Sequence, residues 1–343
     1  MCDKMTIKEL AMEAIEAKLF PGVAIGVTDS SQTIISQVFG TTDEKKPTTE
    51  ETLYDIASLT KVTATLPAIL KLIQDGEIDL FDKVSDYIEF TDNETQLWHL
   101  LSHTSGMPPY SAAYQYKSSR DEILHEIQME LFKTGPEKQV VYSCLNYILL
   151  MVIVEKVTGG FKNFVDKAIF QPLTMEHTMY NPSNHFDIAP TSIRKSQRLT
   201  GEPDDELAYS LNGLSGNAGL FSNLQDLLKY ARELLNPHKV FSKSTIQLSV
   251  KRWTRGIPGD EKGLGWMHYT PASSGGCLLS DKAFGHTGFT GTSLWVDPES
   301  DLAIVILSNR CFYSRHERIT EMLRFRRRVS NRLVTSIKMG ERA

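Results

Sequence analysis

The chain has 343 residues, of which 41% are hydrophobic and 23% are charged, and its formal net charge is −5. This composition is ordinary for a globular protein, and the length predicts one large domain or two lobes. The negative charge gives no reason to expect nucleic acid or an anionic membrane as a partner. The four cysteines are scattered without C-x-x-C spacing, which indicates neither a zinc site nor a disulfide framework.

The N-terminal segment predicts an amphipathic helix, because Thr6 and Glu9 have the spacing of a capping box. The first ten residues lack the apolar core of a signal peptide. No apolar run approaches the ~18 residues that a membrane span requires. We therefore expect a cytoplasmic protein without a membrane span, or a trimmed form of an exported one.

Two hairpins are predicted, one near each end of the chain. The first consists of residues 22–28 and 33–39, and the second of residues 293–296 and 302–307. Both carry strand-forming residues bounded by turn residues. Because short loops connect the strands, each pair is expected to be antiparallel.

Helical patterns dominate from Lys61 to about Val250. One of these helices is predicted to open at Ser222, with Gln225 completing a capping box. The basic run at residues 324–328 lies in a segment with helical spacing and is interpreted as the solvated face of a terminal helix.

The predicted fold class is α/β (α+β), with an antiparallel sheet built from both chain ends. Residues 1–60 and 251–343 would form this sheet lobe, flanked by the terminal helices. Residues 61–250 would form a mostly helical lobe inserted between them.

Ser58 and Lys61 form an S-x-x-K motif at the start of a long apolar segment. Residues three apart share one face of a helix, so the Lys61 amine can reach the Ser58 oxygen and activate it. A helix N-terminus also offers free N–H groups and a positive dipole end to a developing oxyanion. Residues 192–195 fit the same pattern, but they follow Pro190 in a polar stretch and are interpreted as a loop.

Two further motifs follow in order, at Tyr142–Cys144 before an apolar helix predicted over residues 148–157, and at His286–Gly288. Together with S-x-x-K they resemble the class C branch of the serine β-lactamase and penicillin-binding-protein family. That family carries S-x-x-K, then Y-x-N or S-x-N, then K-T-G or H-T-G. The resemblance covers residues 21–331 and implies the β-lactamase/transpeptidase-like fold, with the active site in the cleft between the lobes.

The resemblance implies that Ser58 is the acylated nucleophile. Lys61 and Tyr142 would share the role of general base, titrating as one coupled unit. The backbone N–H groups of Ser58 and Phe289 would form the oxyanion hole. No cofactor is implied.

The same resemblance assigns substrate binding to the third motif. His286 and Thr287 would hold a substrate carboxylate or carbonyl, and a protonated His286 would add a positive charge beside Tyr142. Gly288 would let the strand approach the ligand closely. Phe289 would contribute its N–H group to the same wall of the site.

Two positions depart from the family pattern. Cys144 stands where the family usually has Asn, which removes one expected substrate hydrogen bond, and Asn146 is too far round the helix to replace it. His286 stands where β-lactamases usually have Lys. Because His occurs there among D-alanyl-D-alanine carboxypeptidase relatives, it favours a substrate other than a β-lactam.

A Ser-His-Asp hydrolase is the natural competitor, with Ser58 or Ser215 as nucleophile and His103 as base. The chain has no G-x-S-x-G motif and no alternation of strands with helices, so His103 is interpreted as structural. The histidines show no H-E-x-x-H or comparable spacing, and we expect no metal.

Three substrates fit an acyl-serine hydrolase of this kind: a D-amino-acid peptide, a small carboxylic ester and a β-lactam. The second class is a penicillin-binding sensor or non-turnover binding protein on the same fold, which Cys144 keeps open. The expected partner is a small-molecule or peptide substrate, and the sequence does not distinguish oligomeric states.

Overall fold

The computed structural model describes residues 5–89, 94–117, 119–130 and 135–340. Its strands, in chain order, are β1 (Gly22–Thr28), β2 (Thr33–Gly40), β3 (Tyr54–Asp55), β4 (Met179–Tyr180), β5 (Ile193–Arg194), β6 (Gln197–Arg198), β7 (Leu220–Ser222), β8 (Met267–His268), β9 (Phe284–Thr287), β10 (Ser293–Asp297) and β11 (Leu302–Ser308). Its α-helices are α1 (Ile7–Glu16), α2 (Leu66–Asp75), α3 (Leu97–Leu101), α4 (Arg120–Met129), α5 (Cys144–Thr158), α6 (Phe161–Val165), α7 (Glu206–Ser210), α8 (Leu224–Leu235), α9 (Lys243–Ser249) and α10 (Ile319–Met339).

One antiparallel sheet is built from both ends of the chain, as predicted. Its six strands have the order β2-β1-β11-β10-β9-β8. The first and last strands of the chain pair with each other, from Val23 opposite Ser308 to Thr28 opposite Ala303. Because β1 and β11 are buried along their whole length, both faces of the sheet are covered.

The two faces of the sheet are covered by different helices. On one face α1 and α10 pack together and share a hydrophobic cluster with Val23 and Ile25. On the other face α8 packs against β1 and β11, with Leu224 and Leu228 against Gly26. This second cluster continues without a break into α2 and α5. The division at residues 61 and 250 therefore stays a prediction, since one core runs through both parts.

Two local predictions differ from the structure. Ser222 ends β7, and the helix α8 is instead capped by Asn223, whose Oδ1 accepts the Asp226 N–H group at 2.9 Å. The basic run is not wholly solvated, because Arg326 is only 8% exposed. Helical periodicity locates the faces of α10, but only the packing of the loop between β9 and β10 shows that one basic side chain points inward.

Within the described residues no single helix is long and apolar enough to cross a membrane. The pair Cys144–Thr158 and Phe161–Phe170, bent by 80°, meets the length and hydropathy requirement only when taken together.

Candidate active site

Ser58 lies in a turn at the start of the helix that continues into α2. Ala57 before it has a φ of 48°, a left-handed conformation that costs a non-glycine residue about 1–2 kcal/mol. The Asp55 carboxylate accepts the Ala57 N–H group at 2.8 Å, and the Leu220 carbonyl accepts that of Ile56 at 3.0 Å. These bonds hold the sharp turn that presents Ser58 to the cleft.

Lys61 is completely buried beside Ser58. Its Nζ atom donates to Ser58 Oγ at 3.1 Å, to the Asn217 carbonyl at 2.9 Å and to Cys144 Sγ at 3.6 Å. Burial alone would lower the pKa of Lys61, but attraction to Cys144 and Tyr142 outweighs it and raises the pKa above the ordinary lysine value. Lys61 is therefore an ammonium ion at neutral pH, with its three protons directed at these three partners.

Tyr142 lies beside the nucleophile. Its hydroxyl interacts with the side chains of Ser58 and Lys61, and its ring centroid is 5.0 Å from Lys61 Nζ. The residue is 40% exposed. Burial of the hydroxyl raises the pKa of Tyr142, and the positive charge of Lys61 opposes that rise. Ionisation of Tyr142 thus depends on Lys61, which is the physical basis for treating the pair as one unit.

His103 holds the segment that carries Tyr142. Its Nδ1 atom accepts the Ser143 N–H group at 3.1 Å, and its carbonyl accepts that of Val141 at 2.9 Å. The His103 and Tyr142 rings lie 4.6 Å apart at 41°. Burial lowers the pKa of His103 far below its ordinary value, so the ring is neutral. The residue interpreted as structural thus positions a predicted catalytic side chain.

Cys144, the first residue of α5, faces Lys61 as the sequence predicts for the family's Asn position. Burial raises the pKa of its thiol, and the positive charge of Lys61 opposes that rise. Asn146 is fully buried, and its Oδ1 accepts the Ser105 hydroxyl at 2.7 Å. It does not replace the missing amide, as predicted.

His286 belongs to the part of β9 that extends beyond its short neighbour β8, which pairs only with Phe284 and Gly285. Its Nδ1–H group donates to the Thr287 carbonyl at 2.9 Å, which leaves Nε2 as an acceptor. Burial, with the charges of Lys61 and Lys262, lowers the pKa of His286 to about 3. A protonated His286 that attracts a carboxylate is therefore disfavoured, first by burial of the ring and then by the positive charges of the two lysines.

Gly288 is required by protein packing. A Cβ atom there would lie 2.1 Å from Thr292 Oγ1 and 2.4 Å from the Ile56 carbonyl oxygen. The Thr292 hydroxyl donates to that same Ile56 carbonyl at 3.0 Å, and the Thr290 hydroxyl to the Asp55 carbonyl at 2.6 Å. The loop after β9 is thereby fixed directly against the segment that carries Ser58.

Two buried arginines hold this loop from behind. Arg326 Nη2 donates to the carbonyls of Gly288 at 3.0 Å and of Thr292 at 2.7 Å. Arg310 donates to the Phe289 carbonyl through Nε at 3.2 Å and Nη2 at 2.8 Å. Burial, together with Arg310, lowers the pKa of Arg326 to about 9. Neither residue belongs to a catalytic motif. Arg326 lies in the basic run that the sequence analysis interpreted as solvated, and no signal in the sequence marked Arg310.

The cleft that joins these parts has a volume of about 400 Å³. Of the predicted site residues, Ser58, Tyr142, His286, Thr287, Gly288 and Phe289 line it, and Lys61 and Cys144 lie directly behind Ser58. Its lining also includes Asp260, Lys262, Met267, Arg310, Ile319, Met322 and Arg326. No group of three or more potential metal ligands occurs in the described parts of the chain.

The competing serines lie elsewhere. Ser215 is completely buried and its hydroxyl donates to Asn217 Oδ1 at 2.6 Å, so a substrate cannot reach it. The second S-x-x-K copy lies in the hairpin of β5 and β6, where Ser192 has no helix behind it.

Comparison with known proteins shows the family of this chain. The Beta-lactamase family profile matches residues 8–325. Relatives from Salmonella typhimurium and Salmonella typhi, both named "Putative D-alanyl-D-alanine carboxypeptidase", are 34% identical over 307 residues. Each match covers 76% of this chain and 70% of the relative.

Solved structures share the fold at lower identity. The octameric penicillin-binding protein homologue from Pyrococcus abyssi superposes with a TM-score of 0.76 at 23% identity, over 98% of this chain and 77% of its own. The hydrolase EstCE1, described as having promiscuous acyltransferase activity, superposes with a TM-score of 0.78 at 19% identity, over 96% and 97%. From the extent of the profile match and the identity to the Salmonella relatives, this chain belongs to the β-lactamase family.

Proposed function

We propose that this protein is a serine hydrolase that acts through an acyl-Ser58 intermediate on a small carboxylic ester or a D-amino-acid peptide. The observation that carries the proposal is the 3.1 Å hydrogen bond between Lys61 Nζ and Ser58 Oγ, at a helix start that opens on the cleft. A buried ammonium ion in contact with a serine lowers the cost of removing the hydroxyl proton.

The proposed reaction has two halves. The Tyr142–Lys61 unit, in the form in which the pair has given up one proton, takes the Ser58 proton as Oγ attacks the substrate carbonyl, and it returns that proton to the leaving group when the carbonyl re-forms. Water then loses a proton to the same unit and attacks the acyl carbon, and Ser58 Oγ recovers a proton as the acid leaves. The backbone N–H groups of Ser58 and Phe289 would stabilise the oxyanion in both halves.

The substrate preference rests on the charge of the third motif. His286 is neutral, so it offers a hydrogen-bond acceptor at Nε2 where a lysine would offer an ammonium ion. A β-lactam carboxylate would meet no charge on residue 286 itself, where β-lactamases usually have a lysine. The names of the Salmonella relatives and of EstCE1 favour a peptide or an ester as the substrate class.

The test is labelling and turnover by wild type and Ser58→Ala. We expect a fluorophosphonate to add once to the wild-type protein at Ser58, and p-nitrophenyl acetate to be hydrolysed. Ser58→Ala should lose the adduct and at least roughly a thousandfold of the activity. Ser192→Ala, from the second S-x-x-K copy, is the matched control and should behave as wild type. An adduct on another residue would contradict the proposal.

A second candidate is a binding protein that is acylated once and stalls. Cys144 favours it, because a thiol 3.6 Å from Lys61 replaces an amide that usually contacts substrate. A burst of one p-nitrophenol per chain without steady turnover would support this candidate, and sustained turnover would exclude it. Cys144→Asn should then restore deacylation.

A further inference from the structure

Lys262 is a cation in the cleft that belongs to none of the three motifs. It lines the cleft together with Ser58, Tyr142 and His286, and it is only 7% exposed. Its backbone is fixed on both sides. The Lys262 N–H group donates to Thr254 Oγ1 at 2.8 Å, and its carbonyl accepts the Trp253 N–H group at 3.0 Å.

The ammonium group of Lys262 is poorly compensated. Asp260 Oδ2 lies 3.7 Å from Nζ, but the Asp260 side chain is 87% exposed, so the pair is loose and screened by water. Burial lowers the pKa of Lys262, which shows that the protein gives its charge less stabilisation than water does. Such a group gains when an anion enters the cleft and shares its desolvated surroundings.

The charge of Lys262 acts on the position where the family motif has a lysine or a histidine. It contributes to the lowered pKa of His286, and both side chains line the same cleft. His286 is neutral, so the positive charge on this side of the cleft comes from the segment before β8 and not from β9. The cation that a lysine at position 286 would supply is thus present, but on a different element.

The other two cations of the cleft are already engaged. Arg326 donates to the carbonyls of Gly288, Gly291 and Thr292. Arg310 donates to the carbonyls of Phe289, Arg315 and Glu317. A substrate anion would compete with these bonds, whereas Lys262 has protons to offer without breaking any of them.

We propose that Lys262 binds a carboxylate of the substrate, so that the enzyme prefers an acidic ester or peptide to its neutral counterpart. The inference rests on the acyl-Ser58 hydrolase proposed above. It names the substrate class of that site and the residue that selects it.

The experiment compares two matched pairs of aryl esters. One pair is 3-carboxyphenyl acetate and its methyl ester, with the charge on the leaving group. The other is p-nitrophenyl hydrogen suberate and its methyl ester, with the charge on the acyl chain. The readout is the ratio of kcat/KM for the acid to that for the methyl ester, in wild type, Lys262→Met and Lys262→Arg.

We expect wild type to prefer the acid in at least one pair. Lys262→Met keeps the aliphatic stem and removes the charge, and it should lower the ratio in that pair roughly tenfold to a hundredfold, the usual effect of losing a hydrogen bond between charged groups. Lys262→Arg should recover most of the preference. Lys251→Met, which removes an exposed lysine from the same segment, should leave the ratio unchanged.

The role of Lys262 and the hydrolase proposal are contradicted by different results. Hydrolysis of both esters by wild type without a preference for the acid overturns the role of Lys262, as does an unchanged ratio in Lys262→Met, while Ser58 remains the nucleophile. If Lys262→Met does not fold, the wild-type ratio and Lys262→Arg decide. Absence of both turnover and a Ser58 adduct in wild type would overturn the hydrolase proposal itself, and with it this inference.

Discussion

The two walls of the cleft are built on different physical principles. On the helical wall, the Lys61 ammonium group donates directly to the side chains of Ser58 and Cys144. On the sheet wall, the loop after β9 is held by its backbone carbonyls, which accept protons from Arg326 and Arg310. Both walls depart from the family pattern. The helical wall does so at Cys144, and the sheet wall at His286, where the neutral ring leaves Lys262, from another segment, as a cation of the cleft. The spacing of Ser58 and Lys61 is therefore set within one short segment. The cation that contacts a substrate anion can come from more than one element of this fold.

The largest expected loss of activity comes from replacing Lys61 or Tyr142. Each of Lys61→Ala and Tyr142→Phe should reduce kcat/KM roughly a hundredfold to ten thousandfold, as expected for loss of a general base. Because the two titrate as one unit, the double variant should cost little more than the worse single one. Steady-state kinetics on one neutral ester measure all three, and losses that multiply would mean that the two residues act independently.

We expect Arg326→Ala to destabilise the loop that forms the sheet wall. Removing the guanidinium takes away the Arg326 donor of the Gly291 carbonyl. The carbonyls of Gly288 and Thr292 lose one of two donors, because they also accept the N–H groups of Gly291 and Gly288. A buried group left without a donor costs about 1–3 kcal/mol, so we expect a loss of roughly that size in the free energy of unfolding, measured by urea denaturation, and a lower kcat/KM.

Arg324→Ala is the matched control, because Arg324 lies on the exposed face of the same helix. It should change the free energy of unfolding by less than about 0.5 kcal/mol. Equal losses in the two variants would show that Arg326 does not hold the loop.

Gly288→Ala tests the close contact between the two walls. The added Cβ would press on Thr292 Oγ1 and on the Ile56 carbonyl, and overpacking of this kind costs about 1–3 kcal/mol. Since Ile56 lies two residues before the nucleophile, kcat should fall together with stability. Gly160→Ala is the control, because nothing lies within 4 Å of a Cβ there. Thermal unfolding and ester kinetics would separate the two, and a Gly288→Ala protein with wild-type kcat would contradict the close contact.

The smallest expected effect concerns His286, whose titration should not change KM for an acidic ester between pH 5 and 8. Its pKa of about 3 means that the ring is already neutral well below pH 5, so it has no charge to lose as the pH rises from 5 to 8. KM for an acidic ester should therefore stay level in this range, relative to KM for the methyl ester. His286→Lys adds a charge and should lower KM for the acid. A rise in the relative KM between pH 6 and 7 that occurs in wild type and is absent from His286→Gln would show that His286 titrates near its ordinary value.

The amino-acid sequence determined the features that depend on residues close together in the chain. The i, i+3 spacing puts Lys61 against Ser58 whatever the rest of the fold does. The strands of both hairpins lie within one residue of their predicted ends, because alternation and turn residues are local signals. The order of the three motifs was sufficient to identify the family.

The tertiary structure decided the charges and the supports of the site. Helical periodicity could not show which arginine of the run at 324–328 is buried, because that depends on carbonyls about 35 residues away in the chain. The neutrality of His286 follows from its burial near Lys61 and Lys262, which come from two distant segments. Burial and Coulomb interactions act through space and not along the chain, so a motif specifies which residues meet, while the packed fold sets their charge and what they can bind.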